Sequence, residues 1–392
     1  MNILLLGNGF DLWHNLPTSY SCFLHTVNYL KDNSQTEFNT INDIFKQAEL
    51  QAKEKQIKIS YGHFKSFYHS IKLNKEKISF LIEKANSNIW FNYFSKSLNN
   101  DVGWIDFEKE IARVINAIRL YIKKENRVNK NDLDITITRE ISYILKSFNF
   151  FIEIHYEEKF NNRSSYRTSI KKEYILEEPF GSKNYMINSK KIAETLYESL
   201  NELSEMLDVY LECFVEKPLN TMQKSYYKWK KHTFEDVSTV ITFNYTNTYE
   251  KLYFNKNVHH IHGTVDNKIV LGINPDDYDK LGTVDTTFIY FKKYYQRMIF
   301  RTDDSYREFF NSIKDYVLPI DNLNIIGHSL DITDQDIIKD LFKMTDNITI
   351  YYHNQSALEQ YIKNLIAIYG KDDFEHLKSD KNLTFLSLEN LF

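Results

Sequence analysis

Asn244 and His262 are the side chains in this sequence best suited, by type and position, to do chemistry. Asn244 lies in Thr242-Phe243-Asn244-Tyr245-Thr246, at the end of the β-rich apolar run Val237–Phe243. An amide there offers both a donor and an acceptor, which suits orientation of a ribose hydroxyl or a water. The same position also suits the N-cap of a helix starting at Tyr245. His262 closes His259-His260-Ile261-His262-Gly263, at the exit of a short strand over Val258–Ile261. An imidazole that titrates near neutrality makes a general base; a purely structural histidine is the alternative. On a strand His260 and His262 share one face and His259 takes the other. The spacing shows no third ligand, so no metal is expected.

Two glycine turns accompany them. The apolar run Ile3–Leu6 enters Gly7-Asn8-Gly9-Phe10-Asp11, which reads as a ligand-binding turn or as a tight turn capped by Asp11. Leu12 stands where a full dinucleotide fingerprint carries its third glycine. Leu323–Ile326 runs into Gly327-His328-Ser329-Leu330-Asp331, where Gly327 and Ser329 suit a ribose or phosphate, or a plain turn with a serine cap. Glycine is scarce, 10 in 392 residues, and Gly7, Gly9, Gly263, Gly272 and Gly327 are half of them. Each falls at or just past the end of an expected strand. Ligands of open parallel sheets bind there, and glycine lets the backbone approach a phosphate closely.

The elements that must position these residues form an α/β sheet interrupted by helices. Strands are expected over Asn2–Leu6, Val237–Phe243, Val258–Ile261, Ile269–Leu271, Leu323–Ile326, Ile348–Tyr352 and Leu383–Leu386, with a helix from Ser356 to Tyr369. Their alternation with helices implies a parallel, doubly wound, Rossmann-like sheet. It is split between residues 1–31 and 237–392 by a helical insertion over residues 32–236. Thr18 is expected to cap a helix over Ser19–Leu30. In the insertion, Ile111, Val114, Ile115, Ile118 and Ile122 form one stripe of a helix from Trp104 to Lys123. A second helix covers Lys190–Phe214, with Ile192, Leu196, Leu200, Leu203, Leu207 and Leu211 in near-heptad spacing. The polar stretch Asn161–Ser182 is expected to be a loop. Trp104 and Glu108 share a helical face, from which Glu108 reaches the site or forms a structural ion pair. Asp11 and His14 lie one helical turn apart, open to the same crevice.

Composition narrows the class. A net charge of -4 with 26% charged residues shows no excess that would favour nucleic acid or an anionic membrane. Two cysteines exclude a disulfide framework and a CxxC metal site. The apolar run at the N-terminus is too short for a signal peptide, and no stretch reaches the length of a membrane span, so a cytoplasmic protein is expected.

Together these segments resemble the AbiH family of phage abortive-infection proteins. The resemblance lies in Gly7-Asn8-Gly9-Phe10-Asp11-Leu12 through Leu16-Pro17-Thr18-Ser19-Tyr20, in Trp104-Ile105-Asp106-Phe107-Glu108, in Thr242–Thr246, in His262-Gly263 and in Gly327-His328-Ser329-Leu330. More distantly, the order of parts is similar to the sirtuin-like NAD-binding fold. There Gly7 and Gly9 match the first glycine turn, Asn244 the catalytic-region Asn, His262 the catalytic His, and Gly327 with Ser329 the last turn. Thr246 replaces an Asp of that pattern, and the zinc-ribbon cysteines of deacetylating members are absent. The resemblance therefore implies NAD cleavage without a protein substrate.

On that implication NAD is the substrate, and the nicotinamide–ribose bond breaks through an oxocarbenium-like transition state. Amides of Gly7, Asn8, Gly9 and Phe10 hold phosphate beside Asp11. Asn244 orients the ribose or water, and His262 accepts a proton. Two other readings stay open. One is a nucleotide-binding sensor without cleavage. The other is a metal-dependent nuclease built on Asp11, Glu108 and the histidines, which the near-neutral charge disfavours. The insertion is open to covering the site, sensing a phage-derived trigger or forming a homo-oligomer.

Overall fold

A computed structural model describes residues 1–54, 59, 61, 71–100, 106–125, 139–157, 164–176, 186–221, 236–253, 257–273, 286–315 and 320–391. Six strands form one parallel sheet: β1 (Asn2–Leu6), β2 (Val237–Thr242), β3 (Asn257–His260), β4 (Ile320–Ile326), β5 (Thr345–Tyr352) and β6 (Leu383–Ser387). Their spatial order is β6-β5-β4-β1-β2-β3, with every neighbouring pair parallel. This Rossmann-like order reverses direction between β1 and β4, where the ligand crevice of such sheets opens at the strands' carboxyl ends. β1 is apolar on both faces because both are covered. Ile3 and Leu5 pack with Ile325 and Ile350 on one side; Leu4 and Leu6 pack with Phe10 and Val240 on the other.

The helices between β1 and β2 share one aromatic-rich core that runs from Leu16 to Leu219 and takes in residues up to Phe291. The helix Phe107–Glu125 buries Ile111, Val114, Ile115 and Ile118 fully, with Ile122 half-buried at the margin. The helix Ser189–Leu211 buries all six expected apolar positions. Among the described residues no helix is long and apolar enough to cross a membrane.

Local departures from the sequence reading have physical reasons. Ser19, not Thr18, caps the helix Tyr20–Asp32 through a bond from Cys22 N. Thr18 instead donates to Asn8 Oδ1 at 2.6 Å. The polar stretch Asn161–Ser182 is not a continuous loop: Ser164–Ile170 pairs antiparallel with Phe151–Glu157, and Ile175–Leu176 with Met186–Ile187. Backbone pairing to an apolar neighbour offsets the weak apolar pattern of this segment. Ile269–Leu271 forms no strand. The Gln296 side chain takes the place of a partner strand, accepting from Leu271 N at 2.9 Å and donating to Leu271 O at 3.0 Å. Gly272 therefore closes no strand.

The turns after β1 and β4 touch backbone to backbone. A Cβ on Gly9 would lie 2.7 Å from Gly327 Cα, and one on Gly7 2.5 Å from His328 Cα. Gly327 has φ +68°, and its own Cβ would lie 2.5 Å from the Gly9 carbonyl carbon. Gly327→Ala combines a left-handed conformation with a backbone clash, so it should destabilise the protein by about 3 kcal/mol. Chemical denaturation of the variant against the wild type measures this.

Candidate functional site

A cleft of about 730 Å³ opens where the turns after β1, β2, β3 and β4 converge, roofed by residues of the helices Tyr20–Asp32 and Phe107–Glu125. Asn244, His262, Gly7, Asn8, Gly9, Asp11, Gly327 and Ser329 all line it. Phe10 does not; its ring is fully buried in the core beneath, against Leu4, Leu6 and Tyr249.

The wall formed after β1 and β2 centres on Asp11. The short helix Asn8–Trp13 begins immediately after Gly7, which places Asp11 inside the helix and not at its cap. Its side chain turns inward, where Oδ2 accepts from Thr246 Oγ1 at 2.5 Å, and Thr248 Oγ1 donates to Thr246 at 3.0 Å. Asp11 Oδ1 is buried without a well-formed hydrogen bond, although the Asn244 side chain lies close enough to favour the ionised carboxyl. Burial raises the Asp11 carboxyl to about 7, against the opposing bonds from Thr246 and Thr248. Asn244 follows β2 directly. The next helix starts at Thr248, so Asn244 caps nothing. Its Oδ1 is a second buried acceptor without a protein partner.

The opposite wall is ionic. Lys293 has no exposed side-chain surface, and its Nζ lies 2.8 Å from both Glu108 Oε2 and Asp334 Oδ1. β3 ends at His260, so the strand alternation stops before His262, which sits in a turn with Nε2 3.2 Å from Asp334 Oδ1, poorly aligned for a hydrogen bond. Phe243 meets the His262 ring edge-on at 5.2 Å. On the far side, His328 Nδ1 accepts from Leu330 N at 3.0 Å, which leaves its proton on Nε2, 3.5 Å from Asp334 Oδ2. Burial alone would raise the Asp334 carboxyl, but Lys293 and His262 hold it well below the usual range. Burial raises Glu108 to about 7, against the pull of Lys293. Burial and then Lys293 lower His262 to about 4, with Asp334 opposing. The ring is therefore neutral at physiological pH and a weaker proton acceptor than a free imidazole, with its own N–H best kept on the Nε2 that faces ionised Asp334.

The remaining expected positions divide. Gly7 N donates to Ile326 O at 3.1 Å, Gly9 N to Gly327 O at 2.8 Å and Phe10 N to Gly7 O at 2.8 Å. Three of the four amides expected to hold phosphate are thus committed within the protein. Ser329 is exposed at the lip, and its carbonyl accepts from Asn364 Nδ2 at 2.8 Å. His14 faces away from the cleft, bonded to Phe10 O at 2.7 Å and Tyr253 Oη at 2.6 Å. His260 pairs with Glu250 at 2.7 Å and His259 with Ser305 at 3.1 Å, so the three neighbouring histidines share no ligand. Among the described residues no group of three or more His, Cys, Asp or Glu is arranged to hold a metal. Trp104 lies outside the described residues; Glu108 does reach the cleft. Lys293, Asp334 and His328 carry the ionic wall without having been singled out for it. The one sequence signal for Lys293 is its place in the aromatic run Phe291-Lys292-Lys293-Tyr294-Tyr295.

The family model described as bacteriophage abortive infection AbiH matches residues 3–353. No curated protein and no solved structure matches the chain significantly.

Two variants test the electrostatics. The raised Asp11 pKa means the folded protein holds a proton that the unfolded chain has released, so this contribution to stability falls as pH rises from about 4 to about 7. Asp11→Asn removes that dependence. Between pH 5 and pH 8 the variant should gain about 2–3 kcal/mol relative to wild type in urea unfolding. Lys293→Met leaves two buried carboxyl groups without their cation and should lower stability by about 3–5 kcal/mol at neutral pH. It should also raise the His262 pKa, read from the imidazole NMR titration.

Proposed function

The chain belongs to the AbiH family of bacteriophage abortive-infection proteins, and we propose that it acts as a defence effector that hydrolyses NAD at the nicotinamide–ribose bond. The observation that carries this reading is the pair of buried, unpartnered acceptors, Asp11 Oδ1 and Asn244 Oδ1. They line the same cleft as a neutral His262, at the switch point of a Rossmann-like sheet. Buried acceptors without partners are costly, and a ligand bearing hydroxyl or amide donors relieves that cost.

In this reading the C1′–N bond of NAD breaks and its electron pair leaves with nicotinamide, which departs neutral. Positive charge develops on the ribosyl ring in a cleft lined by carboxyl groups, which favours that charge. Asn244 Oδ1 holds a ribose hydroxyl or the attacking water. Water oxygen bonds to C1′, and His262 takes the released proton before passing it to solvent, giving ADP-ribose, nicotinamide and a proton. The sirtuin-like order of parts supports the assignment. Where that pattern has an Asp, this chain has Thr246, and the Thr246 hydroxyl holds the Asp11 carboxyl in its place. Such an activity belongs in the cytoplasm under the control of a phage-derived trigger, with the helical insertion, or a homo-oligomer built on it, as the receiving surface.

The test is NAD turnover by the triggered protein. His262→Ala should lower kcat by about 100-fold or more, the usual effect of removing a general base. Asn244→Ala should lower kcat/KM by a comparable factor. Full turnover in both variants overturns the assigned roles. Tight NAD binding with no turnover in wild type selects a nucleotide sensor instead.

A further inference from the structure

Among the described residues, the turn after β1 and the buried lysine offer the cleft few free partners for a phosphate. Three of the four amides in the turn after β1 are bonded to protein carbonyls, and Lys293 is enclosed between Glu108 and Asp334. Among the residues that line the cleft, one carries a positive charge and faces the open space: Lys109, in the first turn of the helix Phe107–Glu125. Its Nζ lies 3.1 Å from Asp106 Oδ2 and 3.2 Å from Asp331 Oδ2, with 58% of the side chain exposed. Asp331 is two residues from Ser329, so the ammonium stands at the same lip as that exposed hydroxyl.

Resting on the NAD reading above, we infer that Lys109 is the diphosphate-binding residue of this cleft, supplied by the helical insertion and not by the glycine turn. The side chain suits an exchange of partners. Exposed ion pairs of this kind contribute less than about 1 kcal/mol, so giving up a carboxylate for a phosphate costs little. The lysine stem is long and flexible and its ammonium rotates freely among acceptors. A diphosphate offers the ammonium more charge-assisted acceptors than either Asp106 or Asp331 alone, so it can take the place of one of these two partners. Asp106 and Asp331 keep Lys109 over the cleft when it is empty. They act as competitors of the ligand once it arrives.

Competition separates this role from that of a strut joining the helix to the turn after β4. If Lys109 binds phosphate, removing the lysine and removing its carboxylate partner have opposite effects. If it is a strut, they have the same effect. The probe is ADP-ribose, titrated calorimetrically into the full chain. Lys109→Gln should weaken binding about tenfold, equivalent to loss of one charge-assisted contact. Asp331→Asn should tighten it about threefold. The lysine variant should also raise KM for NAD several-fold more than KM for nicotinamide riboside, which has no phosphate.

Weakening by both variants, or an equal effect on NAD and the riboside, overturns the inference. So does failure of wild type to bind ADP-ribose. Lys109-dependent binding of ADP-ribose by a protein that cleaves no NAD leaves the inference standing and removes the hydrolase reading. NAD turnover that is indifferent to Lys109 does the reverse.

Discussion

Lys293 is a whole positive charge with no exposed side-chain surface. Taking an ammonium out of water is tolerable only when opposite charges accompany it at hydrogen-bond distance. Here Glu108 comes from the inserted helix Phe107–Glu125 and Asp334 from the segment after β4. The sheet and the inserted helices therefore meet through a charge that neither part satisfies alone. Separating them would strand a cation and two carboxyl groups. The same ammonium holds Asp334 ionised, and it adds to the burial that keeps His262 neutral.

The second constraint is backbone proximity. The turns after β1 and β4 approach until Gly9 N reaches Gly327 O at 2.8 Å, a distance that Cβ atoms would forbid. That contact explains why scarce glycines fall at 7, 9 and 327. It also changes their meaning. They are spent on letting two turns close over the switch point, and their amides are largely used in doing so. The gain is positional: the helix starts at once after β1, and Asp11 is driven inward onto Thr246.

Much of this was legible in the chain. Four-residue apolar runs ending in glycine or asparagine mark strands whose carboxyl ends carry function, and parallel pairing brings those ends together. That logic located β1, β2, β4, β5 and β6 closely and placed Asn244, His262, Gly327 and Ser329 in one cleft. It failed where the deciding partner is distant in sequence. Glu108 reads from its helical face as a residue that reaches the site or forms an ion pair, and it does both, but nothing local reveals that its partner is Lys293 or that Asp334 joins them. His14 has helical spacing from Asp11, yet a bond to Tyr253 turns it away. The strand Ser164–Ile170 is polar by composition and exists because Phe151–Glu157 pairs with it. Ile269–Leu271 is apolar, yet its backbone is bonded by partners other than a strand: Leu271 by the Gln296 side chain, and Val270 by His262 O and Tyr245 Oη.

The distribution of charge also constrains how any ligand lies in the cleft. Asp334 keeps a negative charge beside His262, while burial raises the Asp11 and Glu108 carboxyls above the usual carboxylate range, Glu108 against the pull of Lys293. Carboxyl groups held in different states by their surroundings divide the work of stabilising charge and of donating a proton. The inner end of the cleft thus favours developing positive charge and hydrogen-bond donors. At the lip Lys109 stands between the carboxylates of Asp106 and Asp331, beside the exposed Ser329, and is, among the described residues, the one cation there that a ligand can draw away from its partners. On the NAD reading proposed above, the ribosyl ring beside nicotinamide lies toward Asn244 and His262 and the diphosphate toward Lys109. The reverse orientation would press phosphate against Asp334 and leave the unpartnered oxygens of Asp11 and Asn244 without a donor.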